Sequence, residues 1–273
     1  MEPEAIMSMM EDAPKTTILR DPQVYLVGRQ MVDDDALARF LADHEVERWS
    51  TDTEEAGEKL VEVAGRLCYF SFAKPRPGGN SAYLGHILEV GHGSVLEHAV
   101  FSFIITGVSR SFTHELVRHR AGWAYSQLSQ RFVDESECSF VEPDAIAEDP
   151  ELHRIWREAI ESSQTAYRLL ADGLAAKFKT IEDRTLRRKK AREAARSVLP
   201  NATETRIFVT GNARALRHFI EMRGDQHADA EIRKVAIAML AILQEESPNL
   251  FGDYRLIDLP EGGQATDTPH RKV

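Results

Sequence analysis

Cysteine is scarce in this chain, and long apolar runs are missing. The 273 residues include two cysteines, Cys68 and Cys138, too few for a disulfide framework or a four-cysteine zinc site. No apolar run approaches the roughly 18 residues of a membrane span, and the acidic N-terminal segment lacks the basic-then-apolar plan of a signal peptide. The net charge of −10 argues against a general nucleic-acid coat. We therefore expect a soluble cytoplasmic protein without nucleic-acid or membrane partners.

The common nucleotide-binding loops are also missing. The segment GHGSVLEH (91–98) begins like a G-x-G-x-x-G fingerprint, but Leu96 stands where the third glycine belongs, and the segment precedes a predicted strand instead of following one. A turn that leads into a strand, with histidines that have only a structural role, is the alternative to a ligand-binding loop for this segment. We expect no metal, because no standard zinc spacing is matched by the histidines of this region, His92, His98, His114 and His119.

A basic island lies in the middle of this acidic chain. Arg118-His119-Arg120 is followed by SQLSQR (126–131), and over residues 110–131 four arginines oppose Glu115 alone, a formal charge of +3. Arginine forks match phosphate and carboxylate, and serine and glutamine add neutral hydrogen bonds. The island predicts an anion site for a nucleotide or a phosphorylated cofactor. The alternative is a solvated helix end whose cations face the helix C-terminus.

Two further basic segments follow. Residues 184–196 carry seven positive side chains, which are typical of a solvated or ion-pairing helix face and lack the interleaved aromatics of an RNA-binding module. Arg196 differs because it precedes an apolar turn, and we expect it to point into a site. Asn212 and Arg214 lie at a predicted helix N-terminus, where backbone N–H groups favour anions. Surface ion pairing is the alternative for Arg214 and Arg223.

The hydrophobic pattern predicts an α/β (α+β) fold. We expect a single domain, residues 18–260, with a central mixed or antiparallel sheet flanked by helices and a long helical insertion, between flexible ends at 1–17 and 261–273. Strands are predicted at 24–28, at 99–105, at 140–141 together with the residues before it, and at 206–210. Helices are predicted at 36–45, 55–67, 111–119 with Ser111 as N-cap, across most of 150–199, at 213–223 with Gly224 as C-cap, and from Asp225 onward, with a loop at 72–80.

Four ordered blocks, GHGSVLEH, RHR with SQLSQR, ARSVLP with TETR, and NARALRHFIEMRGDQHADAEIR, lie within residues 69–251. Together they resemble the flavin-dependent thymidylate synthase family. The resemblance implies synthesis of dTMP from dUMP, with 5,10-methylenetetrahydrofolate as carbon donor and NADPH as reductant through bound FAD. It also implies a homotetramer whose active sites are shared between subunits.

The resemblance also assigns site residues. Arg131 and Arg196 would hold the dUMP phosphate, Arg223 would polarise the uracil, and Arg223 and Ser129 are the expected catalytic residues. The full set of expected dUMP ligands is Glu115, Gln127, Ser129, Gln130, Arg131, Arg196 and Arg223. The expected FAD contacts are His92, Ser94, Arg118, His119, Arg120, Asn212, Arg214 and His218.

Two features bear on these assignments. The family pattern has seven residues between RHR and S-x-R, whereas eight separate Arg120 from Ser129 here, with the extra residue expected within 121–125. Neither cysteine lies in a cationic motif that would stabilise a thiolate, so we expect no cysteine nucleophile. A nucleotide-binding regulatory protein without turnover would use the same arginines, but it would bind no flavin.

Overall fold

The computed structural model describes residues 16–46, 49–74, 76–260 and 262–273. Its helices are α1 (Asp34–Asp43), α2 (Ala56–Tyr69), α3 (Gly79–Glu89), α4 (Arg110–Leu116), α5 (Asp144–Ala147), α6 (Pro150–Lys177), α7 (Arg184–Ala195), α8 (Ala213–Arg223), α9 (Ala230–Glu246) and α10 (Pro248–Phe251), with 3₁₀ turns at Gly93–His98 and Arg196–Val198. Its strands are β1 (Ile18–Leu19), β2 (Gln23–Gly28), β3 (Val100–Ser109), β4 (Trp123–Gln127), β5 (Phe140–Val141), β6 (Glu204–Asn212), β7 (Arg255–Asp258) and β8 (Gln264–Asp267).

This content confirms the predicted α/β class. The main sheet has four strands in the order β2-β3-β6-β4, β1 pairs with β5 in parallel, and β7 pairs with β8 in antiparallel. The predicted long helical segment consists of α6 and α7. Within the described ranges, no helix is both long and apolar enough to cross a membrane.

The chain forms two compact units. The first contains the described residues up to Pro22, with Thr106–His114 and Gln127–Ile207, and the second contains the described residues of Gln23–Ile105, Glu115–Ser126 and Phe208–Val273. Strands β3 and β6 contribute residues to both units. Most of the predicted flexible N-terminus, residues 1–15, lies outside the described residues, and the predicted domain limits of 18–260 stay a prediction.

The first unit has a core beneath its long helices. Cys138, Phe140 and Ile160 are buried together, with Trp156 and other apolar side chains packed against them. Helix α6 begins where its sequence signals predict, because Pro150 occupies the first turn and the Asp149 carboxylate accepts hydrogen bonds from the Glu151 and Leu152 N–H groups at 2.9 and 3.1 Å. It packs against α7.

The second unit is built on alternating strand residues. Phe101, Phe103 and Ile105 of β3 are buried, as is Val209 of β6, whereas the adjacent Phe208 is exposed. Helix α9 packs on β2 and on α8. The fully buried side chains of this core include Val61, Leu96, Leu216, Phe219, Val235, Met239 and Leu243.

Several predicted element limits are wrong. Helix α4 begins at Arg110, and Ser109, not Ser111, accepts a hydrogen bond from the Phe112 N–H at 3.1 Å. The last long helix begins at Ala230 instead of Asp225, because the Asp229 side chain caps it by accepting from the Glu231 N–H at 3.2 Å. Residues 79 and 80 of the predicted loop belong to α3, a helix absent from the prediction.

The end of the chain is structured, so the prediction of a flexible tail at 261–273 is wrong. Strand β8 pairs with β7, and the Thr266 N–H and hydroxyl donate to the Gly224 and Ile220 carbonyls at 2.8 and 3.0 Å. Gly224 is the C-cap of α8, as predicted, but in right-handed conformation. A Cβ at Gly224 would lie 2.2 Å from Thr266 Oγ1, so the close approach of the tail requires this glycine.

A buried arginine anchors the same tail. The Arg217 guanidinium donates to both carboxylate oxygens of Asp253, at 2.6 and 2.8 Å, and to the His270 carbonyl at 3.3 Å. It also lies 4.8 Å from the centre of the Tyr254 ring. Burial lowers the pKa of Arg217, but its bonds to Asp253 outweigh this and raise it, so the group stays charged in the core.

Candidate functional site

Arg223, at the last position of α8, is fixed by two partners in the second unit. Its Nη1 donates to Glu115 Oε2 at 2.8 Å, and its Nε donates to His119 Nε2 at 3.0 Å. Asn212 caps the N-terminus of helix α8, because its side chain accepts a hydrogen bond from the Ala215 N–H at 2.9 Å. The guanidinium therefore projects from a capped helix with its direction set at two nitrogen atoms.

His119 is held in its neutral form. Burial lowers its pKa to about 4, and the positive charge of Arg223 and the nearby His218 add to the effect. A neutral imidazole can accept at Nε2 only when its proton is on Nδ1, which is the tautomer that the bond from Arg223 selects. Arg223 therefore faces one carboxylate and one neutral acceptor.

An aromatic cluster supports this arrangement. The His119 ring lies 5.4 Å from Phe219 and 5.9 Å from His218, measured between ring centres. Trp123 and Tyr125, on the same side of β4, stack at 5.8 Å with nearly parallel rings. The Tyr125 hydroxyl lies 2.5 Å from the His119 carbonyl, and burial raises the pKa of Tyr125, so it acts as a hydrogen-bond donor.

A cleft of about 280 Å³ opens beside these side chains in the second unit. Four of the expected FAD contacts line it together with Arg223, so the structure brings these five side chains together. The lining residues are Arg118, His119, Arg120, Ala121, Trp123, Ala215, His218 and Arg223.

The loop with the extra residue ends against the start of α8. Gly122 has a φ of +74°, and a Cβ there would lie 2.6 Å from Asn212 Nδ2. The Asn212 N–H donates to the Gly122 carbonyl at 3.1 Å. From Trp123 onward the chain is strand β4, so this close contact sets the entry to the strand.

The GHGS segment forms the 3₁₀ turn Gly93–His98 near Arg214. A Cβ at Gly93 would lie 2.9 Å from Arg214 Nε, and Arg214 Nη1 donates to Glu97 Oε1 at 2.7 Å. His92 and Ser94 are exposed beside this arginine. The turn does not have the arrangement of a G-x-G-x-x-G dinucleotide-binding loop, because it leads into β3 instead of following a strand into a helix.

The other five expected dUMP ligands, Gln127, Ser129, Gln130, Arg131 and Arg196, lie in the first unit. Gln127 Nε2 donates to the hydroxyls of Thr113 and Thr205 at 3.1 and 3.3 Å. Gln130 is 5% exposed, and its Nε2 has no hydrogen-bond partner among the described residues. Arg131 Nε lies 3.0 Å from Glu193 Oε2, an ion pair without hydrogen-bond geometry.

Arg110 is a functional candidate that the motif reasoning missed. Its Nη2 donates to the Leu128 carbonyl at 3.1 Å, whereas its buried Nε finds no acceptor in the part of the chain that the structure describes. Burial lowers the pKa of Arg110. Glu135 acts in the opposite direction and raises this pKa, whereas the nearby Arg196 lowers it further. Two guanidinium groups that repel each other beside an orphaned donor are suited to an anion. The available signal was the charge count over residues 110–131, which includes this arginine.

Glu135 lies close to the same arginine. It is 4% exposed, its Oε1 accepts no hydrogen bond from any described residue, and burial raises its pKa to about 7. Arg110 opposes that rise and Glu204 supports it. The carboxyl is therefore about half protonated near neutral pH, which weakens its competition with an added anion for Arg110.

Comparison with known proteins identifies the family. The family described as "Thymidylate synthase complementing protein" matches residues 51–249. A flavin-dependent thymidylate synthase from Mycobacteroides abscessus is 52% identical over 232 residues, 84% of this chain and 92% of the relative. The chain belongs to the flavin-dependent thymidylate synthase family. Another member, from Mycobacterium sp. (strain JLS), is 54% identical over 227 residues, 81% of this chain and 89% of the relative.

A solved structure supports the fold. The UMP/dUMP methylase PolB from Streptomyces cacaoi, bound with 5-Br UMP, superposes with a TM-score of 0.64 over 87% of this chain and 96% of that chain. The sequence identity is 22%, so this likeness concerns the fold alone. Family membership confirms the resemblance inferred from the four motif blocks and gives the protein a flavin cofactor.

Proposed function

We propose that this protein converts dUMP to dTMP, with 5,10-methylenetetrahydrofolate as carbon donor and NADPH as reductant through FAD. Family membership supports this proposal, and the observation that carries it is the placement of Arg223. Its guanidinium is held by Glu115 and by a neutral His119, and it lines a cationic cleft. A fixed positive charge of this kind stabilises negative charge as it develops on a pyrimidine carbonyl.

The nucleotide is bound through its phosphate and its base. Arg131 and Arg196 hold the phosphate, and Gln130 supports this role because its buried amide has an unused donor among the described residues. Ser129 and Gln127 add neutral hydrogen bonds, with Ser129 next to the reacting base. Glu115 keeps Arg223 aligned against the uracil. Arg110 joins the phosphate ligands, because its orphaned Nε and the nearby Arg196 favour an anion.

The cleft of the second unit fits the flavin cofactor. Arg118 and Arg120 line it, and Arg214 lies at the N-terminus of α8, so guanidinium groups and helix N–H groups suit the FAD pyrophosphate. Trp123 and His119 offer flat surfaces to the flavin ring, with His218, Asn212, His92 and Ser94 as further contacts. Reduced flavin supplies the hydride for the reaction.

Arg223 activates the pyrimidine without a covalent bond to the protein. As electron density shifts toward the uracil carbonyl, the preorganised guanidinium stabilises it and needs no reorientation. Neutral His119 keeps the Nε of Arg223 engaged without adding a charge, so the positive charge stays directed at the base. Cys138 is unsuited to nucleophilic attack because burial raises its pKa to about 12.

We extend the proposal to a cytoplasmic homotetramer with active sites shared between subunits. Exposed apolar side chains on the main sheet support association: Tyr25 and Val27 are 51% and 48% exposed on one side of β2, and Phe208 is 41% exposed on β6. A second subunit that covers these strands would remove this apolar surface from water.

An anaerobic absorption experiment tests the proposed function. The purified protein should carry a flavin spectrum that bleaches with NADPH, and addition of dUMP with methylenetetrahydrofolate should restore the oxidised spectrum as dTMP forms. A protein that binds dUMP but carries no flavin would instead be a regulatory nucleotide-binding protein. A flavoprotein that NADPH reduces, but that forms no dTMP, would contradict the proposed reaction.

A further inference from the structure

We propose that Arg192 is a positioning residue that holds the loop 129–134 against helix α7, and thereby keeps Arg131 and Arg196 at the separation needed to bind one phosphate. The inference rests on the proposed function of these two arginines. Arg192 thereby has a role within the basic segment 184–196, in which other cationic side chains, such as that of Arg188, are exposed to solvent.

The loop 129–134 is a tight turn that depends on outside contacts for its placement. The Phe132 and Val133 N–H groups donate to the Ser129 carbonyl at 3.1 and 3.0 Å, and the Arg131 N–H lies 3.4 Å from Ser129 Oγ. These bonds close the turn on itself. They fix its internal shape but not its position relative to α7.

Arg192 supplies that position. Its Nη1 donates to the Phe132 carbonyl at 2.8 Å, and its Nη2 donates to Asp134 Oδ2 at 2.6 Å. One planar guanidinium thus holds two points of the turn, on the C-terminal side of Arg131. The Arg192 side chain is 19% exposed and that of Asp134 is 53% exposed, so the ion pair is open to water at its carboxylate, and the planar fork supplies the geometry that holds the turn.

Two neighbours on α7 reinforce the contact. Lys189 Nζ lies 4.9 Å from the centre of the exposed Phe132 ring, and Glu193 Oε2 lies 3.0 Å from Arg131 Nε. Burial raises the pKa of Asp134, but hydrogen bonds from Ser136 and Arg192 outweigh it and lower the pKa, which keeps the carboxylate charged. Three side chains of α7, those of Lys189, Arg192 and Glu193, therefore contact the turn.

Arg196 comes from the same helix end. It is the C-cap of α7, four residues after Arg192, and its backbone N–H completes the helix by donating to the Ala194 and Arg192 carbonyls. One phosphate arginine is therefore attached to the helix by the backbone. The other lies on the turn that Arg192 holds, and its own side chain also pairs with Glu193 of the helix. Loss of Arg192 leaves Arg196 in place and releases the turn that carries Arg131.

The first test compares two arginine deletions on one helix. Arg192→Ala should weaken dUMP binding about tenfold, as expected for loss of charge-assisted bonds that order a ligand. Deoxyuridine, which lacks the phosphate, should bind the variant as it binds the wild type. The matched control is Arg188→Ala, since Arg188 is exposed and makes no side-chain hydrogen bond or ion pair with a described residue. Arg192→Lys should lie between, because an ammonium lacks the fork.

A double-mutant cycle separates positioning from general weakening. If Arg192 acts through Arg131, then Arg192→Ala should cost little further dUMP affinity in an Arg131→Ala background. Additive losses would overturn the inference. So would an Arg192→Ala variant that binds dUMP normally while Arg131→Ala does not. If Arg131→Ala itself binds dUMP normally, the proposed phosphate site is wrong instead.

A second variant covers the case in which Arg192→Ala fails to fold. Asp134→Asn keeps the helix unchanged and removes the charged acceptor of Arg192. It should weaken dUMP binding several-fold, by the loss of charge assistance, with unchanged flavin binding and unchanged deoxyuridine binding. Equal losses for dUMP and deoxyuridine would show a general structural effect and contradict the positioning role.

Discussion

Arg223 combines a fixed direction with a fixed charge. Glu115 and His119 engage separate nitrogen atoms, so the guanidinium plane is set before any nucleotide binds. The neutral state of His119 matters here, because a protonated imidazole would repel the guanidinium and could not accept its hydrogen bond. Preorganisation of this kind lowers a barrier without reorganisation during the reaction.

The protonation of His119 predicts how stability depends on pH. The folded-state pKa of about 4 lies below the ordinary value of about 6.5, so between these values the unfolded chain binds more protons and stability falls as the pH falls. His119→Gln, whose amide oxygen can still accept from Arg223, should lose less stability than wild type between pH 6.5 and 4. Urea unfolding at pH 7 and pH 5 measures this.

The control for this experiment is His98→Gln, a change at an exposed histidine of the same unit. It should leave the pH dependence of the unfolding free energy close to that of the wild type. If His119→Gln and the wild type lose equal stability between the two pH values, then His119 is not held neutral in the folded protein.

The cysteines predict a second result. Cys138 lies in the core with Phe140 and Ile160, and Cys68 is exposed on α2. The Cys68→Ser, Cys138→Ala double variant should therefore retain dTMP formation within about twofold and lose about 1 kcal/mol of stability from the small core cavity. Product assays and denaturant midpoints check both statements. A folded, flavin-bound double variant that forms no dTMP would restore a cysteine to the mechanism.

The grouping of site residues could be predicted from the sequence where these residues lie in one short motif. The clustering of Arg118, His119 and Arg120 followed from their adjacency. The pairing of Arg223 with Glu115 could not be derived from spacing, because 108 residues separate them and only the fold brings them together. Arg110 was missed because its importance lies in an unused buried donor, a property of packing and not of sequence.

At the level of elements, helix α8 connects stability with cofactor binding. The Asn212 side chain caps the helix, and the same residue is an expected FAD contact. Asn212→Ala should lower the unfolding free energy by about 1 kcal/mol and weaken flavin binding. Asn212→Asp should keep the cap but still weaken flavin binding, because a carboxylate repels the pyrophosphate. Flavin titration and chemical unfolding of the apoprotein measure the two effects.

A comparable cap provides the control. Asp183 begins α7, and its carboxylate accepts from the Thr185 and Leu186 N–H groups at 2.8 and 3.1 Å. Asp183→Ala should cost a similar stability and leave flavin affinity unchanged. Equal loss of flavin in both alanine variants would show that Asn212 acts only through the fold.

Length alone does not decide which elements were predictable, because the two-residue strand β5 was predicted and the 11-residue helix α3 was not. Helix α8 matches its predicted limits because its apolar spacing, N-cap and terminal glycine agree. Strand β4 was missed because its sequence, WAYSQ, has no β-branched residue and ends in two polar ones, and β7 and β8 were missed because four-residue strands carry little pattern. Asp225 and Asp229 are both N-cap types, and only the observed hydrogen bonds show that Asp229 starts the helix.

At the scale of the whole molecule, local charge opposes net charge. The chain carries −10 overall, yet Arg118, Arg120 and Arg223 line one cleft. Local potential governs the capture of a charged ligand, so a protein of net negative charge can bind anionic nucleotides at a positive cleft. The charge pattern was visible in the sequence. The exposure of the apolar residues of β2 could be recognised only from the structure, which shows the side of the strand on which they lie.

Those exposed residues predict the assembly. The protein should be a tetramer in dilute buffer, and Val27→Lys should dissociate it because a lysine ammonium would be buried against a second subunit. Light scattering measures the mass of both proteins. A monomeric wild type with full flavin occupancy would exclude sites shared between subunits.

The proposed activation of dUMP depends most on Arg223, and single-turnover oxidation of reduced flavin with dUMP and methylenetetrahydrofolate tests this role most directly. Arg223→Ala should slow this step about 100-fold or more at saturating dUMP, while dUMP affinity falls only about tenfold and flavin stays bound. Met222→Ala, at the neighbouring exposed position, should behave as wild type. An Arg223→Ala protein with a normal single-turnover rate and only weaker dUMP binding would contradict the activating role.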